Sequence, residues 1–144
     1  MKKLIICSAI ALCAALTTQA QCDKKVMLTA SKAIFLGPDG SEDRVKESNI
    51  NIEITKNSIR INPNDGPNDG ITGSFKEITC EWKEALKNGK TTSGKVDFTN
   101  DGGESKTGKF TLEAKDGVIT FWLEINEDSG LRKIKVPVDK AKEE

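Results

Sequence analysis

The chain has 144 residues, with 22 basic and 22 acidic side chains, no histidine and no tyrosine. The missing histidine removes the commonest general base, the usual catalytic triads and the commonest zinc ligand. A formal charge of zero, with the two signs interspersed, supplies no electrostatic footprint for nucleic acid or an anionic membrane surface.

Lys2 and Lys3 precede an apolar run from Leu4 to Leu16, which ends in Thr17-Thr18-Gln19-Ala20. A charged start, a core too short to span a bilayer and small residues at Thr18 and Ala20 predict a signal peptide over 1–20, cleaved near Ala20. The mature chain, 21–144, is then one small domain of 124 residues with 20 basic and 22 acidic side chains. It has no membrane span and is expected in the periplasm or outside the cell. Lipidation of Cys22 is the alternative, but Gln21 and Gln19 stand where a small and an aliphatic residue belong. Cys7 and Cys13 leave with the signal, so Cys22 and Cys80 are the mature cysteines. Export to an oxidising compartment favours a disulfide between them, closing a loop of about 57 residues and contributing about 3–4 kcal/mol in the chain-entropy model. A buried Cys80 beside a free Cys22 is the other reading.

Strand-like segments then alternate with turns. Val26 to Leu36 stops at Gly37-Pro38-Asp39-Gly40, where proline presets one torsion and glycine relieves another. Ile50, Ile52 and Ile54 alternate with polar residues, giving one buried and one wet face. Asn57-Ser58 interrupts, and Ile59 and Ile61 resume. Pro63 to Gly70 reads Pro-Asn-Asp-Gly twice, a loop. Ile71 and Phe75 lie on odd positions but Ile78, Cys80 and Trp82 on even ones, a slip that predicts a bulge. Asn88-Gly89 is the strongest two-residue hairpin signal. Val96 and Phe98, then Phe110, Leu112 and Ala114, then Ile119, Phe121, Leu123 and Ile125, then Ile134, Val136 and Val138 complete the pattern. Asp116-Gly117 reads as a tight turn and Asp139 to Glu144 as a charged tail. No window of eleven residues has helical periodicity. The fold expected is all-β, an antiparallel eight-stranded meander curled into a barrel or half-barrel. A two-sheet sandwich uses the same strands.

The spacing of these segments resembles small secreted bacterial lipocalin-like (calycin-like) proteins. The residues that carry the likeness are a signal ending near Ala-Gln, Leu28-Thr29 in the first strand, the Gly37 to Gly40 turn, Ile52-Glu53-Ile54-Thr55, Cys80-Glu81-Trp82 and Ile134-Lys135-Val136. Lipocalins proper carry a Gly-x-Trp in the first strand that packs on a late basic residue. Lys25 to Leu28 stand there instead, the tryptophans are Trp82 and Trp122, and Arg132 would be the basic partner. The resemblance implies a small apolar ligand inside a barrel.

Several chemistries fail on their own requirements. Gly89 to Lys95 nearly spells a P-loop, but Val96 replaces the magnesium-binding hydroxyl and opens a strand, not a helix. Asn64, Asp65, Asn68 and Asp69 offer oxygen donors without EF-hand spacing, and Asp101 with Glu104 is no stronger, so no metal or cofactor is expected. Glu81 with Glu84, and Glu124 with Glu127, read as solvated faces and not as a hydrolytic pair. Phe98, Phe110 and Phe121 share the apolar phase and are the candidate ligand-lining residues, while Trp122 faces the other way as a candidate contact residue. Leu, Ile, Val and Phe number 28 of the 124, so little apolar surface is spare and a cavity should be small or partly polar. The expectation is a monomeric, non-enzymatic binding protein for a small, partly apolar ligand. The alternative is an envelope accessory or inhibitor-like protein that acts by contact with another envelope protein.

Overall fold

A computed structural model describes residues 22–64 and 69–144. The expected signal segment, and with it Cys7 and Cys13, lies outside the described residues. Eleven strands follow one another: β1 (Val26–Leu36), β2 (Glu42–Ile54), β3 (Ser58–Pro63), β4 (Ile71–Phe75), β5 (Ile78–Glu84), β6 (Asn88–Ser93), β7 (Val96–Asn100), β8 (Ser105–Lys115), β9 (Val118–Glu127), β10 (Gly130–Pro137) and β11 (Lys140–Glu143). Eight of them close an antiparallel ring in the order β1-β2-β3-β4-β7-β8-β9-β10 and back to β1, a barrel and not a sandwich. β5 and β6 extend from β8, and β11 lies on the first half of β1.

Alternation fills the barrel. Ile50, Ile52 and Ile54 turn inward from β2, as do Phe110 and Leu112 from β8 and Phe121 and Leu123 from β9. Phe110 meets Phe75 edge-on at 5.4 Å and stacks on Phe121 at 5.8 Å between ring centroids. Gly73 leaves room for this core, because a Cβ there would come within 2.6 Å of Val96 Cγ1 and 2.8 Å of Ile59 Cγ2.

The slip at Phe75–Ile78 is present, but it is not a one-sided bulge. Phe75 pairs with Val96 and Ile78 with Ser93, so the register is unchanged across the gap. The opposite strand slips too, since Thr91 and Ser93 are buried on odd positions and Val96 and Phe98 on even ones. β4–β5 and β6–β7 are therefore one long hairpin kinked in both strands, with the Gly94 N–H donating to the Glu77 carbonyl at 2.8 Å. The kink breaks the pairing with β8, which faces β7 through Ser105–Gly108 and β6 through Thr111–Ala114. Ser93 closes that break: its hydroxyl accepts the Phe110 N–H at 2.9 Å and donates to the Phe110 carbonyl at 3.3 Å.

Three local expectations change. Asn88-Gly89 begins β6 and is not the turn. Ala85–Lys87 make the connection with Leu86 at φ 57°, and Gly89, at φ 144°, sits beside a register shift where a Cβ would strike the Glu81 carbonyl oxygen. Lys140–Glu143 is a strand on β1 and not a tail. β2 starts at Glu42, through exposed residues that pair with the long β1. Asp116 and Gly117, at φ 52° and 82°, do form a two-residue hairpin turn.

Candidate functional site

The barrel has two unlike ends. At one, here the mouth, a cavity of about 260 Å³ opens between the end of β1, the start of β4, the end of β7, the start of β8, the end of β9 and the start of β10. Its floor is apolar: Phe35, Ile71, Phe98, Ile125 and Ile134. Its rim carries Asn100, Glu104, Lys106, Glu127 and Arg132. The strands place these side chains because each floor residue is at or near the inward-facing position next to the connection at this end, Phe35, Phe98 and Ile125 before it and Ile71 and Ile134 after it. The Glu127 side chain is only 14% exposed and holds two cations, Arg132 Nη2 at 2.9 Å and Lys106 Nζ at 3.2 Å. Glu104 lies 3.9 Å from the same lysine. Outside the floor, the Arg44 guanidinium stands 4.4 Å from the centroid of Phe35. Chemically the mouth offers an apolar pocket under a rim of both signs.

Of the four expected residues, Phe98 lies on the floor of the mouth, 3% exposed. Phe110 and Phe121 are deeper, in the aromatic core. Trp122 is on the outer wall and half-buried. Its Nε1 donates to Glu113 Oε1 at 2.9 Å, and Lys135 Nζ lies 5.5 Å from its ring centroid, so cross-strand neighbours cover it. The sequence reading missed Phe35, Ile71, Ile125 and Ile134 as lining residues, and Lys106, Glu127 and Arg132 as one cluster. Arg132, the expected partner of a first-strand tryptophan, pairs with Glu127.

Outside the mouth, an open cleft of about 1330 Å³ runs along β5, β6, β8 and the start of β9, past Trp82, Lys90, Glu113 and Val118. Val118 is 72% exposed. Cys22 and Cys80 form a disulfide with their Cα atoms 5.7 Å apart, closing a sequence separation of 58. Gly89 to Lys95 runs through β6 into the kink, an extended path that opens no helix. The carboxylates weighed as hydrolytic pairs face lysines: Glu81 with Lys90 at 3.9 Å, Glu84 with Lys87 at 3.5 Å, and Glu124 with Lys109 at 3.5 Å and Lys133 at 3.7 Å. Asp65 and Asn68 of the doubled loop lie outside the described residues. Among the described residues no three acids or cysteines converge as a metal site would require. One carboxylate is shifted: the Ser41 hydroxyl at 2.6 Å and then the Ser41 N–H hold Asp39 below its ordinary range, in the exposed β1–β2 turn.

No protein-family model matches the chain, and no curated protein or solved structure is significantly similar to it. What stands is the architecture. A closed eight-stranded antiparallel barrel is compatible with a lipocalin-like fold.

Proposed function

We propose that this is an exported, non-enzymatic binding protein that takes a small, partly apolar ligand at the barrel mouth. The mouth cavity carries this reading. At about 260 Å³ it falls just below the usual range for drug-sized ligands and, at about 30 Å³ per water-sized unit, suits a ligand on the order of ten non-hydrogen atoms. Its apolar floor supplies burial, and the charged rim supplies orientation. The charged start and apolar run of 1–20, together with a cystine in the mature chain, support export to the periplasm or beyond. The mouth lining holds no histidine, serine or cysteine, and its half-buried Glu127 is paired with two cations, which favours binding over catalysis.

The test has two parts. Native mass spectrometry of mature protein from its own envelope, without reductant, should show one discrete small mass above the cystine-closed chain. Isoleucine-methyl NMR with that compound should then move Ile71, Ile125 and Ile134 and leave Ile52 and Ile59 in place. Movement confined to cleft residues, or no bound mass at any protein concentration, overturns the reading. A protein partner is the second reading, and the cleft favours it: about 1330 Å³ exceeds small-ligand cavities, and Val118 stands exposed on its border.

A further inference from the structure

At the end opposite the mouth, the wall is held differently. The ring closes through β4–β7 and β7–β8 and does not pass through β5 or β6. β5 pairs with β6 and with no other described strand. β6 in turn holds to β8 by four residue pairs, Gly89↔Ala114 to Thr92↔Thr111. The hairpin nevertheless covers part of the core: Ile78 and Trp82 pack against the apolar cluster, as Val26 and Ile119 do from β1 and β9 and Val138 from the β10–β11 link at this end. Inside it, Trp82 Nε1 donates to Thr91 Oγ1 at 2.9 Å, and that hydroxyl donates to Cys80 Sγ at 3.4 Å, both Thr91 and Cys80 being buried. Cys80 is bonded to Cys22, four residues before β1. The cystine is thus a covalent tie between the hairpin and the β1 side of the barrel, placed outside the ring's own hydrogen-bond circuit.

We propose that the β5–β6 hairpin is a flap over the base of the barrel, locked shut by Cys22–Cys80 and opened by thiol reduction to bare a second apolar opening. The chemistry is ordinary exchange with a dithiol. One reagent thiolate attacks Cys22 Sγ, the less buried sulfur's residue, the Cys22–Cys80 bond breaks and Cys80 leaves as a thiolate. The second reagent thiol attacks the mixed disulfide and releases Cys22. The reagent ends as its own disulfide, and the protein has taken up two electrons and two protons. Once untied, the flap keeps four ladder pairs and a partly buried face, whereas every ring strand is paired on both sides. Local opening of the flap therefore precedes global unfolding. This is independent of what binds at the mouth.

Hydrogen exchange read by mass spectrometry on the mature chain, with and without dithiothreitol, tests it. Peptides covering residues 78–93 should exchange about tenfold faster or more on reduction, while those from β2, β3 and β9 keep their oxidised rates. The double variant Cys22→Ser with Cys80→Ser should show the fast flap pattern and no response to reductant. Uniform acceleration across all strands would make the cystine a support of the whole fold and overturn the proposal. So would unchanged flap rates in the reduced chain, or a reductant response that persists in the double variant.

Discussion

Replacing Ser93 by alanine removes one oxygen from the point where the long hairpin changes from barrel wall to flap. In the native chain that oxygen satisfies both backbone groups of Phe110, accepting the N–H at 2.9 Å and donating to the carbonyl at 3.3 Å, at a residue 1% exposed. No backbone group replaces it, because the β8 ladder is interrupted between Gly108 and Thr111. A buried N–H left without a partner costs about 1–3 kcal/mol, and the longer bond to the carbonyl adds about 0.5–1.5. The sum is a loss of about 2–4 kcal/mol, a large fraction of the stability of a domain this size. Urea unfolding with the cystine intact would show the midpoint falling by roughly 1–2 M at unchanged slope, given slopes of about 1–3 kcal/mol/M. Ser105→Ala is the control: its hydroxyl contact with Thr99, 3.2 Å, is exposed, and its loss should stay within about 0.5 kcal/mol. A Ser93→Ala midpoint as close to wild type as the control's would refute the account of the break as a join made by one side chain.

Gly73→Ala should lose about 1–3 kcal/mol to overpacking against Val96, Ile59 and Phe98, and a double-mutant cycle with Val96→Ala should show favourable coupling; additivity would mean the core gives way elsewhere. Phe110→Ala should cost about 3–5 kcal/mol, being held between Phe75 and Phe121. Phe98→Ala should cost less, because the space it leaves opens to the mouth; the reverse ranking in denaturant midpoints would show that the mouth is closed to water. Asp39 has a folded pKa below its unfolded value. Its contribution is therefore present above the unfolded pKa and fades as pH falls through the folded one. An NMR titration of its carboxyl carbon should find the lowered pKa in wild type, with Ser41→Ala returning it toward the ordinary value, and a wild-type value at or above the ordinary one would contradict the hydrogen bonds.

Period-2 alternation was legible wherever burial rests on apolar side chains. Ile50, Ile52 and Ile54 declare β2 because their polar neighbours face water, and Asp116-Gly117 declares its turn because both residues must take positive φ. The kink was half legible. The shift from Phe75 to Ile78 stands in apolar residues, but its counterpart is written in Thr91 and Ser93, which are buried by hydrogen bonds and not by apolarity. The start of β2 and the whole of β11 have no apolar stripe, since backbone pairing with an eleven-residue β1 holds them. Asn88-Gly89 supplied a positive φ as its composition predicts, but the register shift beside Trp82 used it, and Leu86 took the turn.

The candidate site needed register that composition does not carry. Phe98, Phe110 and Phe121 share residue type and inward phase, yet only the distance of Phe98 from its strand end puts it at the mouth. Lys106, Glu127 and Arg132 come from three strands, and the pairing of β8 with β9 and of β9 with β10 brings them together. Glu127 alone reads as one acid among 22.

The two ends of the barrel are finished by different means. At the base, Trp82, Ile78 and the cystine cover the core, and the chain commits a hairpin outside the ring to do so. At the mouth, Phe35, Ile71 and Ile134 are half-buried around the cavity. Each Å² of apolar surface left in water forgoes about 25 cal/mol, a cost met both at the mouth and at the cleft past Trp82 and Val118. Glu127 marks the mouth out chemically. Its side chain, 14% exposed, is held under the rim by Arg132 and Lys106, whereas an apolar side chain at the same position would extend the floor. An apolar floor beneath a rim of paired charges is the arrangement on which the proposed ligand reading rests, and the open cleft past Trp82 and Val118 at the base is the one on which the protein-partner reading rests.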